Sequence, residues 1–133
     1  DLRLERGEAC RVFSSGMAAV SAAIISHLKS GDHILFVNTI YAPTMIYAGF
    51  LERFNISYTY TRKTDIGEIT EKLQTNTKMI FVESPGSIDL QVVDLRKLAD
   101  LAKSKNILSV IDKVDKKWSN LPHYPKELKQ TKS

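Results

Sequence analysis

The segment that decides the fold is Met79-Ile80-Phe81-Val82-Glu83-Ser84-Pro85-Gly86-Ser87, four apolar residues followed by a polar turn. A short apolar run bounded by turn residues predicts a strand. Comparable runs recur along the chain, and segments with helical periodicity separate them. The predicted strands are residues 10–13, 34–37, 56–60, 79–82 and 107–111.

Helix signals lie between these strands. Apolar residues recur at helical spacing in four segments, the first of which contains Met17, Val20, Ile24 and Leu28. This first helix is predicted to end at Lys29-Ser30-Gly31, where a cation and a glycine stand. Pro43 suits a first helical turn, and Asp65 and Asp94 are predicted N-caps. The order βαβαβαβαβ predicts an α/β fold, a parallel sheet with helices on its faces.

The pattern stops after Ile111, and the charge changes there too. Of the 19 basic and 15 acidic residues, 6 and 2 lie in residues 113–133, so residues 1–112 carry 13 of each. We therefore divide the 133-residue chain into one folded domain, 1–112, and a divergent lysine-rich tail, 113–133. A neutral folded part argues against nucleic-acid binding, and a solvated tail is the simpler interpretation of the lysines.

Composition excludes other classes of protein. The single cysteine, Cys10, allows no internal disulfide and fits a reducing compartment, so we expect a cytoplasmic protein in which Cys10 is buried. The longest apolar stretch, residues 17–25, is too short to span a bilayer. His27, His33 and His123 lack the spacing of metal ligands, so no metal site is predicted.

Ligands of open parallel sheets bind beyond the carboxyl ends of the strands. Residues 14–17 lead from the first predicted strand into a helix, so the amides of Gly16 and Met17, with the helix dipole, could hold a phosphate. A plain strand-to-helix turn with a serine N-cap explains the same residues equally well. The segment matches neither a Walker loop nor the three-glycine dinucleotide pattern.

Tyr41 and Asp112 follow the second and fifth predicted strands, at the same edge of the sheet. The ring of Tyr41 could stack on a flat heteroaromatic cofactor, and a core or surface tyrosine is the alternative. Asp112 ends an apolar strand, where a buried carboxylate needs a partner such as a protonated pyridine nitrogen. An N-cap or a salt bridge to a nearby lysine would account for Asp112 as well.

In their order along the chain, these segments resemble a known enzyme family. The matching motifs are Phe13-Ser14-Ser15-Gly16-Met17-Ala18-Ala19, Gly31-Asp32-His33, Tyr41, Thr77-Lys78, Val82-Glu83-Ser84-Pro85 and Val110-Ile111-Asp112. They are similar to segments of the cysteine and methionine metabolism enzymes, the cystathionine synthases and lyases that use pyridoxal phosphate. Glu83-Ser84-Pro85-Gly86-Ser87 is most like the bacterial cystathionine β-lyase branch. The resemblance implies that residues 1–112 are part of the large domain of a fold-type-I pyridoxal-phosphate enzyme.

The resemblance also implies roles for individual residues. The amides of Gly16 and Met17 would hold the cofactor phosphate, and Tyr41 would stack on the pyridine ring and help to transfer protons. Asp112 would keep the pyridine nitrogen protonated, which makes the ring an electron sink, and Ser87 would line the site. The implied reaction is β-elimination of cystathionine to homocysteine, pyruvate and ammonia, so a sulfur amino acid is the expected small-molecule partner.

One part of the family's machinery has no match in these 133 residues. The resemblance implies a Schiff-base lysine in a Ser-x-Thr-Lys segment well beyond Asp112, and neither Lys113 nor Lys132 matches it. We therefore expect a truncated, inactive lyase that binds pyridoxal phosphate non-covalently. An unpaired sheet edge and uncovered apolar faces predict that it is marginally stable or self-associates. A non-enzymatic α/β module that binds a phosphate ligand, or serves as an interaction piece, is the alternative.

Overall fold

A computed structural model describes residues 7–86, 88 and 91–113. The predicted tail therefore lies, apart from Lys113, outside the described residues, and so does Ser87. The helices are α1 (Gly16–Ile25), α2 (Ala42–Leu51), α3 (Ile66–Glu71) and α4 (Leu95–Ser104), with a 3-10 turn at Glu52–Phe54. The strands are β1 (His33–Val37), β2 (Ser57–Thr61), β3 (Thr77–Glu83) and β4 (Leu108–Asp112). None of these helices is long and apolar enough to cross a membrane.

The strands form one parallel sheet in the order β2-β1-β3-β4. This arrangement confirms the predicted α/β fold with a parallel sheet. The boundaries differ slightly from those predicted. Strand β1 begins one residue earlier, β3 begins two residues earlier and ends one later, and β2 and β4 each begin and end one residue later. Since strands β1 and β3 lie in the middle of the described sheet, their residues are fully or almost fully buried, except for Lys78.

The predicted first strand, residues 10–13, is wrong. This segment has no strand structure, and Val12 is 92% exposed and Phe13 45% exposed. A strand is held by hydrogen bonds to a neighbouring strand, and no strand of the described sheet pairs with these residues. Cys10, expected to be buried, is exposed in the same segment.

The predicted end of the first helix is also wrong. Helix α1 ends at Ile25, several residues before Gly31. Gly31 instead lies in the turn that enters β1, where its φ of 94° suits glycine and its N–H donates to the carbonyl of Asn55 at 2.8 Å. The cation and glycine that resemble a helix stop therefore belong to a turn fixed by a contact 24 residues away along the chain.

The two faces of the sheet carry separate hydrophobic clusters. Successive side chains of a strand point to opposite faces, so Ile34 and Phe36 of β1 pack with α1 and α2, while Leu35 and Val37 pack with α3 and α4. All four side chains are completely buried. Burial of each contributes roughly 1.5–3 kcal/mol to the free energy of unfolding. These two layers hold the helices on the sheet and bring their first turns toward its carboxyl edge.

The predicted N-caps of α3 and α4 are confirmed. Asp65 Oδ1 accepts a hydrogen bond from the N–H of Glu68 at 3.2 Å, and Asp94 Oδ1 accepts one from the N–H of Lys97 at 3.1 Å. Each cap satisfies an amide that has no partner within its helix and stabilises the helix by about 1 kcal/mol.

A buried histidine makes the stability of this fold depend on pH. His33 is completely buried in β1, with Nδ1 2.8 Å from Thr77 Oγ1 and Nε2 3.1 Å from Thr59 Oγ1. Burial lowers the pKa of the His33 imidazole below its usual value. The unfolded chain therefore binds a proton at a higher pH than the folded chain does.

We expect the free energy of unfolding to fall as the pH is lowered from 6.5 toward the folded pKa of His33, by up to about 1.4 kcal/mol per pH unit. Urea titrations at several pH values between 7.5 and 5 would measure it. The loss should persist in His27→Gln, which removes an exposed histidine, and should shrink in His33→Asn. An unchanged pH dependence in His33→Asn would contradict this assignment.

Candidate functional site

The candidate site lies at the carboxyl edge of the sheet, where the first turns of α1 and α2 meet. The hydroxyl of Thr44, in the first turn of α2, is 3.6 Å from the sulfur of Met17, in the first turn of α1. The positive ends of two helix dipoles therefore lie close together. This edge is where parallel α/β sheets bind their ligands.

The first turn of α1 leaves two amides available. Ser15 is the N-cap: its Oγ accepts from the N–H of Ala18 at 3.1 Å, and its carbonyl accepts from the N–H of Ala19 at 3.2 Å. The N–H groups of Gly16 and Met17 have no acceptor among the described residues, as expected at the first two helical positions. A Cβ built on Gly16 would meet no atom within 4 Å, so the space beside Gly16 is open.

This geometry suits an anion. Two unpaired amides at the positive end of a ten-residue helix form an anion-binding arrangement of the kind that holds phosphate. The serine N-cap of the simpler interpretation is present as well, and it leaves both amides unoccupied. The residues therefore fit the phosphate of the cofactor that the sequence resemblance implies.

Tyr41 is the N-cap residue of α2, and the residue is 52% exposed at the sheet edge. Its carbonyl accepts hydrogen bonds from the N–H groups of Thr44 at 2.9 Å and Met45 at 3.3 Å. The backbone of Tyr41 is thus part of the helix, while the ring presents an accessible face. Such a ring can stack on a flat aromatic group.

Asp112 is the last residue of β4, and its carbonyl accepts from the N–H of Ser84 at 3.2 Å. Strand alternation from Val110, which packs against the α1/α2 cluster, puts Asp112 on the same face as α1 and α2. Burial raises the pKa of the Asp112 carboxyl. No ion pair of Asp112 is present within the described part of the chain, so the salt bridge considered for it is not found there.

A buried carboxylate to which the sequence analysis gave no role of its own links two of these residues. Glu83 is completely buried at the end of β3, and its Oε2 accepts from the N–H of Tyr41 at 2.8 Å. It is also the register partner of Asp112 on the neighbouring strand. The available signal was an acidic residue directly after an apolar strand, the same signal that selected Asp112.

Asn38 fixes the loop beside Glu83. It follows β1 with a left-handed φ of 75°, and its side-chain amide donates to the carbonyls of Glu83 at 2.9 Å and Gln91 at 2.8 Å. Both donors of the amide are used, while its Oδ1 is buried and has no hydrogen-bond partner among the residues described. The end of β3 is therefore held to the end of β1 by side-chain as well as backbone bonds.

The structure brings some of the predicted site residues together and leaves others apart. Met17, Tyr41 and Asp112 share one edge and one face, but no hydrogen bond joins them to one another within the described ranges. Ser87 lies outside the described residues. Residues 7–86, 88 and 91–113 contain no cluster of three or more His, Cys, Asp or Glu that could hold a metal. A cavity of about 810 Å³ lies at the opposite edge, lined in part by Lys29, Lys78 and Lys103, away from this site.

The sequence and structure comparisons with known proteins point to the same enzyme family. Residues 2–116 match the family model described as Cys/Met metabolism PLP-dependent enzyme. Cystathionine beta-lyase MetC of Bacillus subtilis is 36% identical over 110 residues, which are 82% of this chain and 28% of that protein. L-methionine gamma-lyase of Fusobacterium nucleatum subsp. polymorphum is 35% identical over 111 residues, again 82% of this chain and 28% of that protein.

Solved structures agree with these sequence relatives. The crystal structure of metB from Corynebacterium glutamicum superposes with a TM-score of 0.78 at 32% identity, over 84% of this chain and 29% of that one. Cystathionine gamma-lyase from Lactobacillus plantarum, complexed with L-serine, gives a TM-score of 0.76 at 30% identity. The chain thus spans less than a third of the length of these relatives.

Proposed function

Because this chain belongs to the family of Cys/Met metabolism PLP-dependent enzymes, we propose that it forms the cofactor-holding part of a carbon–sulfur lyase. The reaction proposed for the whole lyase is β-elimination of cystathionine to homocysteine, pyruvate and ammonia. The Glu83-Ser84-Pro85-Gly86-Ser87 segment and the relatives named cystathionine beta-lyase support this choice. Relatives named L-methionine gamma-lyase and cystathionine gamma-lyase have a similar sequence identity to this chain. The choice of cystathionine as substrate is therefore the most specific part of the proposal.

The observation that carries the proposal is the pair of free amides at the start of α1, on the same edge and face of the sheet as Tyr41 and Asp112. The N–H groups of Gly16 and Met17 would bind the phosphate, helped by the dipole of α1. The exposed ring of Tyr41 would lie against the pyridine ring and its hydroxyl would help to move a proton. Asp112 would hold a proton on the pyridine nitrogen. Bound pyridoxal phosphate would then supply an electron sink for the electron pair left on the substrate.

We propose that these 133 residues, taken alone, hold the cofactor without a covalent bond and release little or no pyruvate. The sequence contains no Ser-x-Thr-Lys segment to supply the lysine of the family's mechanism. Residues 1–112 would be part of the large domain, and 113–133 a separate lysine-rich tail. A cytoplasmic location belongs to the same proposal, supported by the single cysteine of the chain.

The proposal predicts that the purified chain binds pyridoxal phosphate reversibly and that Gly16→Pro weakens binding by about 10-fold. Proline is tolerated at the first helical position, and Ser15 already has the extended conformation that precedes proline (φ −152°, ψ 161°). The variant therefore removes one amide donor, a charge-assisted hydrogen bond to phosphate, while α1 stays intact. Equilibrium dialysis would give the dissociation constants.

Gly16→Ala is the matched control, because it keeps the amide and its Cβ has open space in this structure. Equal affinity in the wild type and Gly16→Pro would contradict a phosphate site at α1. Borohydride reduction that fixed the cofactor to a lysine, together with pyruvate release from cystathionine, would overturn the non-covalent, inactive assignment.

A second function rests on the same two amides. An anion site at a helix N-terminus needs no lysine, so a non-enzymatic module that binds another phosphate ligand would use Gly16 and Met17 in the same way. Tight binding of a nucleotide, lost in Gly16→Pro, without any response to pyridoxal phosphate would favour this alternative.

We also propose that the chain self-associates. The described sheet ends in β2 and β4, and helix α2 and the turn after it present Ile46, Phe50 and Phe54 at 75%, 46% and 54% exposure. Open strand edges and apolar side chains both favour association. Size-exclusion chromatography with light scattering should show a mass that rises with concentration and falls in Ile46→Gln. A cooperatively folding monomer at every concentration would speak against it.

A further inference from the structure

Helix α2 begins without a cap of its own. Tyr41 occupies the N-cap position and its side chain makes no capping hydrogen bond. In a capping box, a Glu three residues into the helix accepts from the N–H of the N-cap residue, but Thr44 stands at that position here. The N–H of Tyr41 instead donates to Glu83 Oε2 at 2.8 Å, 42 residues along the chain. A carboxylate from the neighbouring strand thus completes this helix start.

The location of Glu83 makes this contact a rigid one. Its side chain is completely buried, and a buried carboxylate is stable only with hydrogen-bond donors or positive charge nearby. The N–H of Tyr41 is such a donor to Oε2, and the positive end of the α2 dipole lies next to the same oxygen. Its carbonyl is held as well, because Asn38 Nδ2 donates to it at 2.9 Å. Side chain and backbone of Glu83 are therefore both fixed.

Glu83 also lies next to Asp112. The two residues are register partners on β3 and β4, and parallel strands are about 4.8 Å apart. Phe81 and Val110, two residues earlier, both pack in the α1/α2 cluster, so strand alternation puts both carboxylates on that face. Glu83 is therefore connected to Tyr41 by a hydrogen bond and adjoins Asp112 through the sheet.

We infer that Glu83 is a positioning residue, whose carboxylate fixes Tyr41 and the start of α2 relative to Asp112. It acts through the backbone of Tyr41 and is not assigned a contact with the cofactor. This inference rests on the proposed cofactor site, in which the Tyr41 ring and Asp112 approach the same pyridine ring. A shift of the α2 start would also move Thr44, which contacts Met17 in the phosphate-binding turn.

Two substitutions separate the hydrogen bond from the charge. Glu83→Leu removes the acceptor, so the Tyr41 amide should exchange with solvent about 10-fold faster, and affinity for pyridoxal phosphate should fall by about 10-fold. Glu83→Gln keeps an acceptor oxygen and should restore most of both properties, with the Tyr41 amide proton resonance moved upfield by the weaker acceptor. Amide exchange by NMR and equilibrium dialysis measure the two effects.

A double-mutant cycle tests whether Glu83 acts through Tyr41. In a Tyr41→Ala background, Glu83→Leu should lower affinity for pyridoxal phosphate much less than it does in the wild type, because the ring that it positions is gone and only the contact of Thr44 with Met17 remains. Fully additive losses would overturn the inference. Glu71→Gln, which neutralises an exposed glutamate of α3, is the control and should leave the Tyr41 amide unchanged.

The failure of the inference and of the proposed function are distinguishable. A wild-type chain that does not bind pyridoxal phosphate would overturn the function, while the Tyr41 amide would still report on Glu83. A Tyr41 amide with wild-type exchange and resonance in both Glu83 variants would overturn the inference even if the cofactor binds. Should Glu83→Leu fail to fold, the resonance shift in Glu83→Gln decides the question.

Discussion

Replacing Asp112 with asparagine is expected to lower the affinity of the chain for pyridoxal phosphate by about 10- to 100-fold. A carboxylate beside a protonated pyridine nitrogen makes a charge-assisted hydrogen bond, worth about 1.5–3 kcal/mol, that a neutral amide cannot replace. Asp112 is suited to this role because it is half-buried and lacks an ion-pair partner in the described chain. Equilibrium dialysis would measure the change.

The same substitution should have the opposite effect on the cofactor-free chain. Burial raises the folded pKa of Asp112 above that of the unfolded chain. The folded chain therefore binds more protons between these two pKa values, and the free energy of unfolding falls as the pH rises through that window and stays lower above it. At neutral pH, Asp112→Asn removes this cost, so we expect a slightly higher unfolding midpoint without cofactor.

A gain in stability combined with a loss of affinity would identify Asp112 as a residue kept for binding. Asp100→Asn, which removes an exposed carboxylate of α4, should change neither property. Unchanged affinity in Asp112→Asn would contradict the pyridine contact. Loss of both stability and affinity would mean that Asp112 supports the fold instead.

Replacing Phe36 with alanine is expected to lower the free energy of unfolding by about 3–5 kcal/mol. Phe36 is completely buried in the middle of the described sheet, and its ring centroid lies 5.4 Å from that of Phe81 and 5.9 Å from that of Tyr58. The substitution opens a cavity between three strands. Because domains of this size are stable by only about 5–15 kcal/mol, a large part of the variant would be unfolded at moderate temperature.

Urea denaturation followed by circular dichroism would measure this loss. Phe54→Ala is the matched control, since it deletes the same atoms from a side chain that is 54% exposed, and should cost less than about 1 kcal/mol. Equal losses in the two variants would contradict the placement of the core on β1.

Features governed by nearby residues could be predicted from the sequence. The apolar runs of β1 and β3 located the two central strands, and Asp65 and Asp94 marked the starts of α3 and α4. A buried strand and a helix cap each depend on a few consecutive residues. The parallel fold followed from the alternation of these elements.

Predictions failed where a distant contact decides the structure. Residues 10–13 have strand-forming composition but no pairing neighbour in the described sheet. Gly31 lies in a turn that is held by the hydrogen bond from its N–H to the carbonyl of Asn55. Strand propensity does not show whether a partner strand is present, and the residues around Gly31 do not show its hydrogen bond to Asn55. Both features depend on residues far away in the sequence.

The candidate site divides in the same way. The sequence by itself determined that residues 14–17 lead into a helix and that Tyr41 and Asp112 end up at the carboxyl edge of a parallel sheet. Only the tertiary structure showed that Glu83 completes the start of α2 and adjoins Asp112. The physical reason is range: helix starts and strand ends are local, whereas a carboxylate finds its amide donor 42 residues away only after β1 and β3 have paired.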